Sequence, residues 1–302
     1  MLGENPSIPP KKYALKSNVH LMKKEATSLI VEDGCVKGVK FKTGEKLLCD
    51  KVIIATGGMS YPQTGSDGAG YKMARDAGHK IIEPKASLVP VEIKESICRD
   101  LMGLSLKNIK ITVKNDKNKK VYDDFGEMIF THFGVSGPVI LSASAHMKNP
   151  ETSGYSIYID LKPALDEKTL DARILRDFEK FANKQFINAL DELLPKKLIG
   201  VVVALSEIDE RKQVNQISKE ERKRLCYILK NFKLTVKGFR PVSEAIVTSG
   251  GICTKEINSS TMESKLIKNL YFAGEVIDVD AYTGGFNLQI AFSTGYLAGD
   301  NA

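Results

Sequence analysis

The sequence predicts an α/β protein whose two ends form one layer, interrupted by an insert with a β part and a helical part. Short apolar strands that end in glycine occur near both ends of the chain, at residues 51–55 and 270–273. Between them, residues 87–159 have the pattern of strands and residues 166–232 that of amphipathic helices. At 302 residues the chain exceeds one domain of ordinary size, since a domain takes about 150 residues.

The first part is predicted to be a β-meander followed by a strand and a helix. Residues 1–17 are rich in Pro and Lys and lack periodicity, so we expect a mobile lead-in. Asp33-Gly34 is a typical hairpin turn. Asp67 is expected to be the N-cap of the helix, and Gly78 to end it. The predicted elements are strands at 26–32, 35–41, 46–49 and a buried strand at 51–55, and a helix at 71–77.

The middle of the chain is predicted to contain strands and then helices. The predicted strands cover 88–93, 106–115, 126–141 and 154–161, and the predicted helices 169–181, 188–194 (ended by Pro195), 196–208 and 219–232. After a strand at 234–239, Arg240-Pro241 marks a junction. The last part is predicted as a strand at 244–248, a turn at Gly250-Gly251, the strand at 270–273 and a helix at 287–297. The domains are therefore predicted as 18–86 with 240–302, 87–165 with 233–239, and 166–232.

The composition is that of a globular protein without export or membrane signals, with 42% apolar and 27% charged residues. The start of the chain has no apolar signal-peptide core, so a cytoplasmic location is expected. The five cysteines are scattered without a CxxC pair, and the four histidines are isolated. We therefore expect reduced thiols and no metal site. The net charge of +7 leaves a nucleic-acid surface open, although a solvated face is the favoured interpretation.

The segment DKVIIATGG, residues 50–58, is the first candidate site. A strand that ends in Ala55, Thr56, Gly57 and Gly58 lets the backbone turn sharply and approach a bound dinucleotide. An ordinary α/β strand ending in glycine is the alternative.

The segment from Asn269 to Gly299 is the second and stronger candidate. Its strand ends at Gly274-Glu275, which places a carboxylate where it can accept hydrogen bonds from ligand hydroxyls. Gly284-Gly285 then opens a helix, whose free N–H groups and dipole favour an electron-rich group.

Together these segments resemble a bacterial family of FAD-dependent oxidoreductases that includes aminoacetone oxidases and bile-acid pathway reductases. The resemblance runs from about residue 18 to the end, in the expected order. Four blocks carry it: ATGGMSYPQTGSDGAGYKMARDAGH (55–79), SLVPVEI (87–93), GEMIFTHFGVSGPVIL (126–141), and RPVSEAIVTSGGI with FAGEVIDVDAYTGGFNLQIAFSTGYLAG. It implies a Rossmann-like FAD domain of the glutathione-reductase type, interrupted by an insert with a β-barrel-like part and a helical part.

The resemblance also implies which residues surround FAD. The adenosine side would be near Ala55, Thr56 and Gly57 with the adjoining Gly58; the ribityl chain near Gly274 and Glu275; and the flavin ring near Gly285, Phe286, Asn287 and Leu288, with Gly250 and Gly251 close by.

The sequence departs from this family by having no GxGxxG motif after a strand. The nearest pattern, Gly65-x-x-Gly68-x-Gly70, has the wrong order and follows no strand directly. We therefore expect a fragment that lacks the N-terminal pyrophosphate-binding segment, with that segment as a missing partner.

Four other residue types deserve a functional hypothesis but have an ordinary explanation. His132 could titrate near neutrality, yet a packed or solvent-edge histidine is more common. The serines form no GxSxG elbow, which argues against a hydrolase. Cys253 could face the flavin as a redox thiol, but it lacks a second cysteine. Tyr282 could line a substrate pocket or be a bare loop aromatic.

The predicted function is two-electron chemistry by an FAD-dependent oxidoreductase, on a small molecule bound between the FAD domain and the insert. NAD(P)H as reductant and oxygen as oxidant are both open, and no catalytic residue is assigned. The alternatives are a non-catalytic fragment, or partner half of a split flavoprotein, and a flavin-dependent RNA-modifying protein.

Overall fold

A computed structural model describes residues 19–302, so the predicted lead-in lies outside the described residues. The strands are β1 (Ala26–Glu32), β2 (Cys35–Phe41), β3 (Lys46–Leu48), β4 (Val52–Ile54), β5 (Ile81–Ser87), β6 (Val91–Ile93), β7 (Ser105–Asn115), β8 (Lys120–Phe130), β9 (Gly134–Ser136), β10 (Tyr155–Asp160), β11 (Phe232–Phe239), β12 (Val247–Ile252) and β13 (Leu270–Phe272). The helices are α1 (Ala69–Asp76), α2 (Ile97–Asp100), α3 (Pro138–Ser144), α4 (Pro150–Ser153), α5 (Glu167–Lys180), α6 (Lys196–Ser206), α7 (Lys219–Lys230) and α8 (Phe286–Asn301).

The two ends of the chain meet where β13 pairs in parallel with β4. The predicted meander is confirmed as the antiparallel sheet β1-β2-β3. Helix α1 begins at Ala69, two residues before the predicted start. Its N-cap is Gly68 and not the predicted Asp67, whose Oδ1 accepts from the Ala69 N–H at 3.0 Å. The prediction of a buried strand at 51–55 is only partly correct, because the Ile53 side chain on β4 is 40% exposed.

The insert contains a closed barrel with the strand order β10-β11-β6-β9-β8-β7, which confirms the predicted β-barrel-like part. Alternate side chains of β7, β10 and β11 point inward, as period-two strands require. Barrel residues such as Phe130 and Phe232 pack in one hydrophobic cluster with Phe186 and Leu198 of the helical part. A separate cluster, which includes Ile54 and Phe272, forms the core of the α/β part.

Two predicted elements of the insert are wrong. Residues 138–141 form the start of α3 instead of a strand, because Gly137 and Pro138 stand at N-cap and N1, where proline suits a helix. Residues 188–194 form turns instead of a helix. Pro195 disfavours helical backbone in the residue before it, and Arg173 of α5 donates to the Glu192 carbonyl at 3.1 Å.

The prediction for residues 244–251 also needs correction. Strand β12 begins at Val247, after a 3₁₀ turn at Val242–Glu244, and it continues through Gly250 and Gly251 instead of turning there. The pairing of β12 with β5 shifts register between Ser249 and Gly251, so the glycines form an irregularity within the strand. A Cβ on Gly251 would lie 2.6 Å from the Val276 carbonyl oxygen, which is why this strand carries glycine.

Candidate functional site

The parallel pairing of β4 and β13 brings both predicted cofactor segments to one sheet edge. The Ala273 N–H donates to the Ile54 carbonyl at 3.0 Å, so residues 55–58 and 274–275 leave their strands side by side. The carboxyl edge of parallel strands is where α/β proteins bind ligands. The expectation that these distant segments share one rim is therefore met in the geometry.

Gly58, Thr248 and Glu275 form a tight junction at this edge. The Thr248 N–H donates to Glu275 Oε1 at 2.6 Å, while Thr248 Oγ1 accepts from the Met59 and Ser60 N–H groups at 2.8 and 3.1 Å. A Cβ on Gly58 would lie 2.6 Å from Glu275 Oε1 and would also contact Thr248 Oγ1. Glu275, expected to accept bonds from ligand hydroxyls, thus also holds β12 in place.

The side chain of Thr56 faces helix α1 and not the open side of the edge. Its Oγ1 is buried without a hydrogen-bond partner in the described part of the chain, and a Cβ on Gly70 would contact it. Neighbouring Ala55 is exposed. The side chain that points outward at this strand end is thus that of Ala55.

The N-terminus of α8 opens onto free space. A Cβ on Gly285, its N-cap residue, would meet no atom within 4 Å. The N–H groups of Phe286, Asn287 and Leu288 stand in the first turn, where a helix supplies no backbone partners. This end therefore offers donors and a positive dipole to an electron-rich group.

The side chain of Asn287 serves the preceding loop. Its Oδ1 accepts from the Ala281 N–H at 2.8 Å, and its Nδ2 donates to the Ala281 carbonyl at 2.7 Å. These two bonds fix the loop that carries Asp280 and Tyr282. The predicted site residues Gly250 and Gly251 are buried, with Gly251 packed against the Val276 carbonyl.

A groove of about 1010 Å³ lies between the α/β part and the insert. Ser87 donates to Asp280 Oδ2 at 2.6 Å at its wall, and burial and the Asp280 charge raise the pKa of the nearby Asp278. The groove is lined by Lys85, Ala86, Ser87, Ser144, Ala145, Met147, Lys148, Asn149, Pro150, Glu151, Thr152, Phe239, Arg240, Pro241, Ser249 and Asp280.

Three aromatic rings stack close to this groove. The His146 ring lies 4.5 Å from that of Tyr122 and 5.7 Å from that of Tyr282, each at 23°. His146 Nε2 and the Tyr282 hydroxyl are 2.7 Å apart. Sequence reasoning missed His146 and Tyr122, because residues so far apart along the chain leave no spacing signal.

The other sequence candidates stand apart from this edge. His132 is exposed and its ring contacts Phe133 edge-on at 5.0 Å. All five cysteines are free thiols, and Cys253 is half-buried. Across residues 19–302, no group of three or more His, Cys, Asp or Glu side chains could hold a metal ion. No helix in that same range is long and apolar enough to cross a membrane.

Comparison with known proteins places the chain in a family. Residues 11–301 match the family model described as HI0933-like protein Rossmann domain. The chain is 35% identical over 248 residues to a ribosomal RNA dihydrouridine synthase of Haemophilus influenzae, covering 82% of this chain and 59% of that protein. It is 29% identical over 284 residues to the ribosomal RNA dihydrouridine synthase of Escherichia coli, covering 94% of this chain and 66% of that protein.

A third relative is a 3-dehydro-bile acid delta(4,6)-reductase of Clostridium scindens, 30% identical over 258 residues, which cover 85% of this chain and 63% of that protein. The chain thus spans about three fifths to two thirds of the length of these relatives. The predicted Rossmann-like fold with a barrel insert is confirmed. The chain belongs to the HI0933-like family of Rossmann-domain proteins.

Proposed function

We propose that this chain forms the flavin-side part of an FAD-dependent oxidoreductase whose substrate binds in the groove between the α/β part and the barrel. The observation that carries the proposal is the sheet edge where residues 55–58 and 274–275 leave paired strands side by side, with α8 packed against it through the 2.9 Å hydrogen bond from the Gly274 N–H to Thr294 Oγ1. When bound, FAD would supply two-electron redox chemistry, while the protein orients it and tunes its electronics.

In this proposal each part of the rim has a distinct task. Ala55, Thr56, Gly57 and Gly58 form the adenosine side through their backbone. Gly274 and Glu275 lie beside the ribityl chain. The first-turn N–H groups of α8 would favour negative charge on the flavin ring. Asn287 fixes the loop between the ring and the groove through its bonds to Ala281.

We further propose that the reaction is reduction of a carbon–carbon double bond conjugated to a carbonyl group. Dihydrouridine is uridine with one ring double bond saturated, and a delta(4,6)-reductase by name removes double bonds, so the relatives' names share this reaction class. Amine oxidation, which the sequence resemblance also allowed, has no such support. NAD(P)H is the proposed source of electrons.

FAD retention is proposed to need a further strand–GxGxxG–helix segment. The 302 residues contain no such motif. On the structural side, β4 pairs within its sheet only with β13, and Ile53 on β4 is exposed in the described chain. A parallel sheet is normally covered on both faces and continued by further strands. A segment added beside β4 would extend the parallel sheet and cover Ile53. It would also supply an anion-binding helix end.

Flavin colour and turnover test the proposal together. An upstream-extended chain should purify yellow, with absorbance at about 450 nm. With NADPH it should reduce a 3-keto-4-ene steroid or a uridine-containing RNA. The chain of 302 residues should hold FAD weakly. Tight, stoichiometric FAD in the shorter chain would remove the need for the extra segment. Lack of flavin in both chains would remove the oxidoreductase and leave the non-catalytic alternative.

A uracil base in RNA is the second candidate substrate. Two relatives are named ribosomal RNA dihydrouridine synthases, and the groove carries the basic residues Lys85, Lys148 and Arg240. On the barrel, the Lys114 ammonium lies 4.8 Å from the Tyr158 ring centre, and Lys233 is the partner of Tyr158 on the next strand. Salt-sensitive RNA binding would favour this substrate, since contacts to phosphates weaken with salt. No binding at low salt would exclude it.

A further inference from the structure

The three stacked rings come from three separate segments of the chain. Tyr122 belongs to β8 of the barrel, His146 follows α3, and Tyr282 lies in the loop before α8. The hydrogen bond between the Tyr282 hydroxyl and His146 Nε2, at 2.7 Å, crosses from the α/β part to the insert. The stack therefore links the α/β part to the insert beside the groove.

Each end of the stack is fixed by its own hydrogen bonds. The Tyr122 hydroxyl donates to Asp124 Oδ2 at 2.8 Å, and burial together with the Asp124 carboxylate raises the pKa of Tyr122. Tyr122 thus stays neutral and holds one face of His146. At the Tyr282 end of the stack, the Asn287 side chain forms hydrogen bonds with the backbone N–H and carbonyl of Ala281, the residue before Tyr282.

The stack lies beside the groove, next in sequence to residues that line it. Ala145 and Met147, on either side of His146, line the groove, and so does Asp280 near Tyr282. The Tyr282 side chain is 48% exposed, so burial of apolar area does not account for its position. His146 is half-buried behind it.

We propose that Tyr282 is the acid that protonates the substrate in the groove, and that His146 positions Tyr282 and returns its proton. This rests on the proposed reduction of a conjugated double bond. In that reaction the π bond breaks and two C–H bonds form, one with a hydride from reduced flavin and one with the Tyr282 proton. The phenolate then takes a proton from the protonated His146 ring through Nε2, and solvent reprotonates His146.

The chemistry of the two side chains suits this division of work. A phenol loses its proton near pH about 10, so it needs a neighbouring donor to act as an acid at neutral pH. An imidazole exchanges protons near neutrality and can supply that donor. Tyr122, Asp124 and Tyr282 are the titratable groups that the structure places around His146.

The coupling can be measured on the full chain without FAD or substrate. The titration midpoint of the His146 ring, followed by NMR, should change in Tyr282→Phe. It should stay unchanged in Tyr227→Phe, whose tyrosine is exposed on α7 of the helical part. An unchanged midpoint in Tyr282→Phe would overturn the proposed pair.

Turnover of a 3-keto-4-ene steroid and of a uridine-containing RNA by the flavin-loaded, upstream-extended protein then tests the acid. Tyr282→Phe should lower kcat on the probe that is turned over by about 100-fold or more with little change in KM, as expected on removing a general acid. His146→Gln should lower kcat less and shift the pH profile, and Tyr227→Phe should match the wild type. Full kcat in Tyr282→Phe would overturn the proposal. If the wild-type protein reduces neither probe, the proposed function fails, and the NMR result alone decides whether the pair exists.

Discussion

The Thr248 backbone N–H donates a 2.6 Å hydrogen bond to Glu275 Oε1 and so joins β12 to the turn that follows β13. The Thr248 hydroxyl in turn accepts from the Met59 and Ser60 N–H groups. Three segments that are far apart in sequence are therefore held together by two side chains. The rim proposed to bind FAD depends on this arrangement.

Glu275→Ala is expected to destabilise the fold as well as the ligand site. The substitution leaves the Thr248 N–H without its charged acceptor, and such a loss costs about 1–3 kcal/mol. The free energy of unfolding, measured with urea, should fall by this amount, and FAD retention by the upstream-extended chain should weaken. Glu275→Gln keeps an acceptor and should lose less of both. Equal stability of Glu275→Ala and the wild type would show that the bond contributes little.

Gly58→Ala tests how closely the three segments pack. An alanine Cβ would lie 2.6 Å from Glu275 Oε1, and forcing a methyl group into a packed site costs about 1–3 kcal/mol. Gly200→Ala is the matched control, because its Cβ on α6 would meet no atom within 4 Å. That control should raise stability by up to about 1 kcal/mol, since alanine favours helix over glycine. If both variants unfold at the same urea concentration, the junction is looser than the structure indicates.

Local signals predicted much of the α/β part correctly. The bounds of β1 and β2 agree with the sequence pattern, because alternating apolar residues flank the turn Asp33-Gly34 and fix the register. The run of strand-like segments predicted strands in the insert, and the family resemblance implied that they form a barrel-like part. The helix predicted at residues 188–194 is wrong. Leu190 and Leu194 are buried in the core although they lie in turns, and helical periodicity alone cannot distinguish that case from a helix. Strand β5 was not predicted, since Pro84 interrupts its apolar pattern.

The candidate site was predictable only where short motifs carry it. Glycines at the strand ends and before α8 mark this edge in the sequence, because sharp local backbone turns require them. No sequence motif marked His146, Tyr122 or Thr248, because each contacts residues that are distant in sequence and that only the tertiary fold brings close. The sequence also gave no sign that Glu275 holds Thr248. A glutamate at the end of a strand gives the same sequence pattern whether its carboxylate binds a ligand or accepts a hydrogen bond from the backbone.

His79 should make the α/β part sensitive to mild acid. Its side chain is fully buried, with Nδ1 3.2 Å from Glu256 Oε2 and Nε2 2.8 Å from Ser264 Oγ. Ser264 Oγ already accepts from the Leu266 and Ile267 N–H groups, so its proton goes to a neutral imidazole. Burial lowers the pKa of His79, despite the opposing effect of Glu256.

The direction of the pH effect follows from that lowered pKa. Above pH about 6.5 the ring is neutral in both folded and unfolded chains, so His79 adds no pH dependence. As pH falls below this value, the unfolded chain binds a proton that the folded chain resists, and the free energy of unfolding drops. One proton allows at most about 1.4 kcal/mol per pH unit. Urea unfolding at pH 7.5 and 5.5 should show this loss, reduced in His79→Gln and retained in His20→Gln. The same loss in His79→Gln would assign it to other groups.

The exposed apolar face of α8 should make the chain of 302 residues self-associate and bind apolar dyes. Leu288, Phe292 and Tyr296 are spaced four residues apart on one face and are 63%, 67% and 72% exposed, whereas Ala298 is the buried residue of the helix. Contiguous apolar surface of this kind marks an interaction site or an aggregation liability. The double variant Phe292→Lys/Tyr296→Lys should bind less of an apolar fluorescent dye and sediment as smaller species, with stability changed by less than about 0.5 kcal/mol. Tyr227→Lys removes a tyrosine that is 61% exposed on α7 and should leave dye binding unchanged. If the double variant binds as much dye as the wild type, the dye-binding surface lies elsewhere.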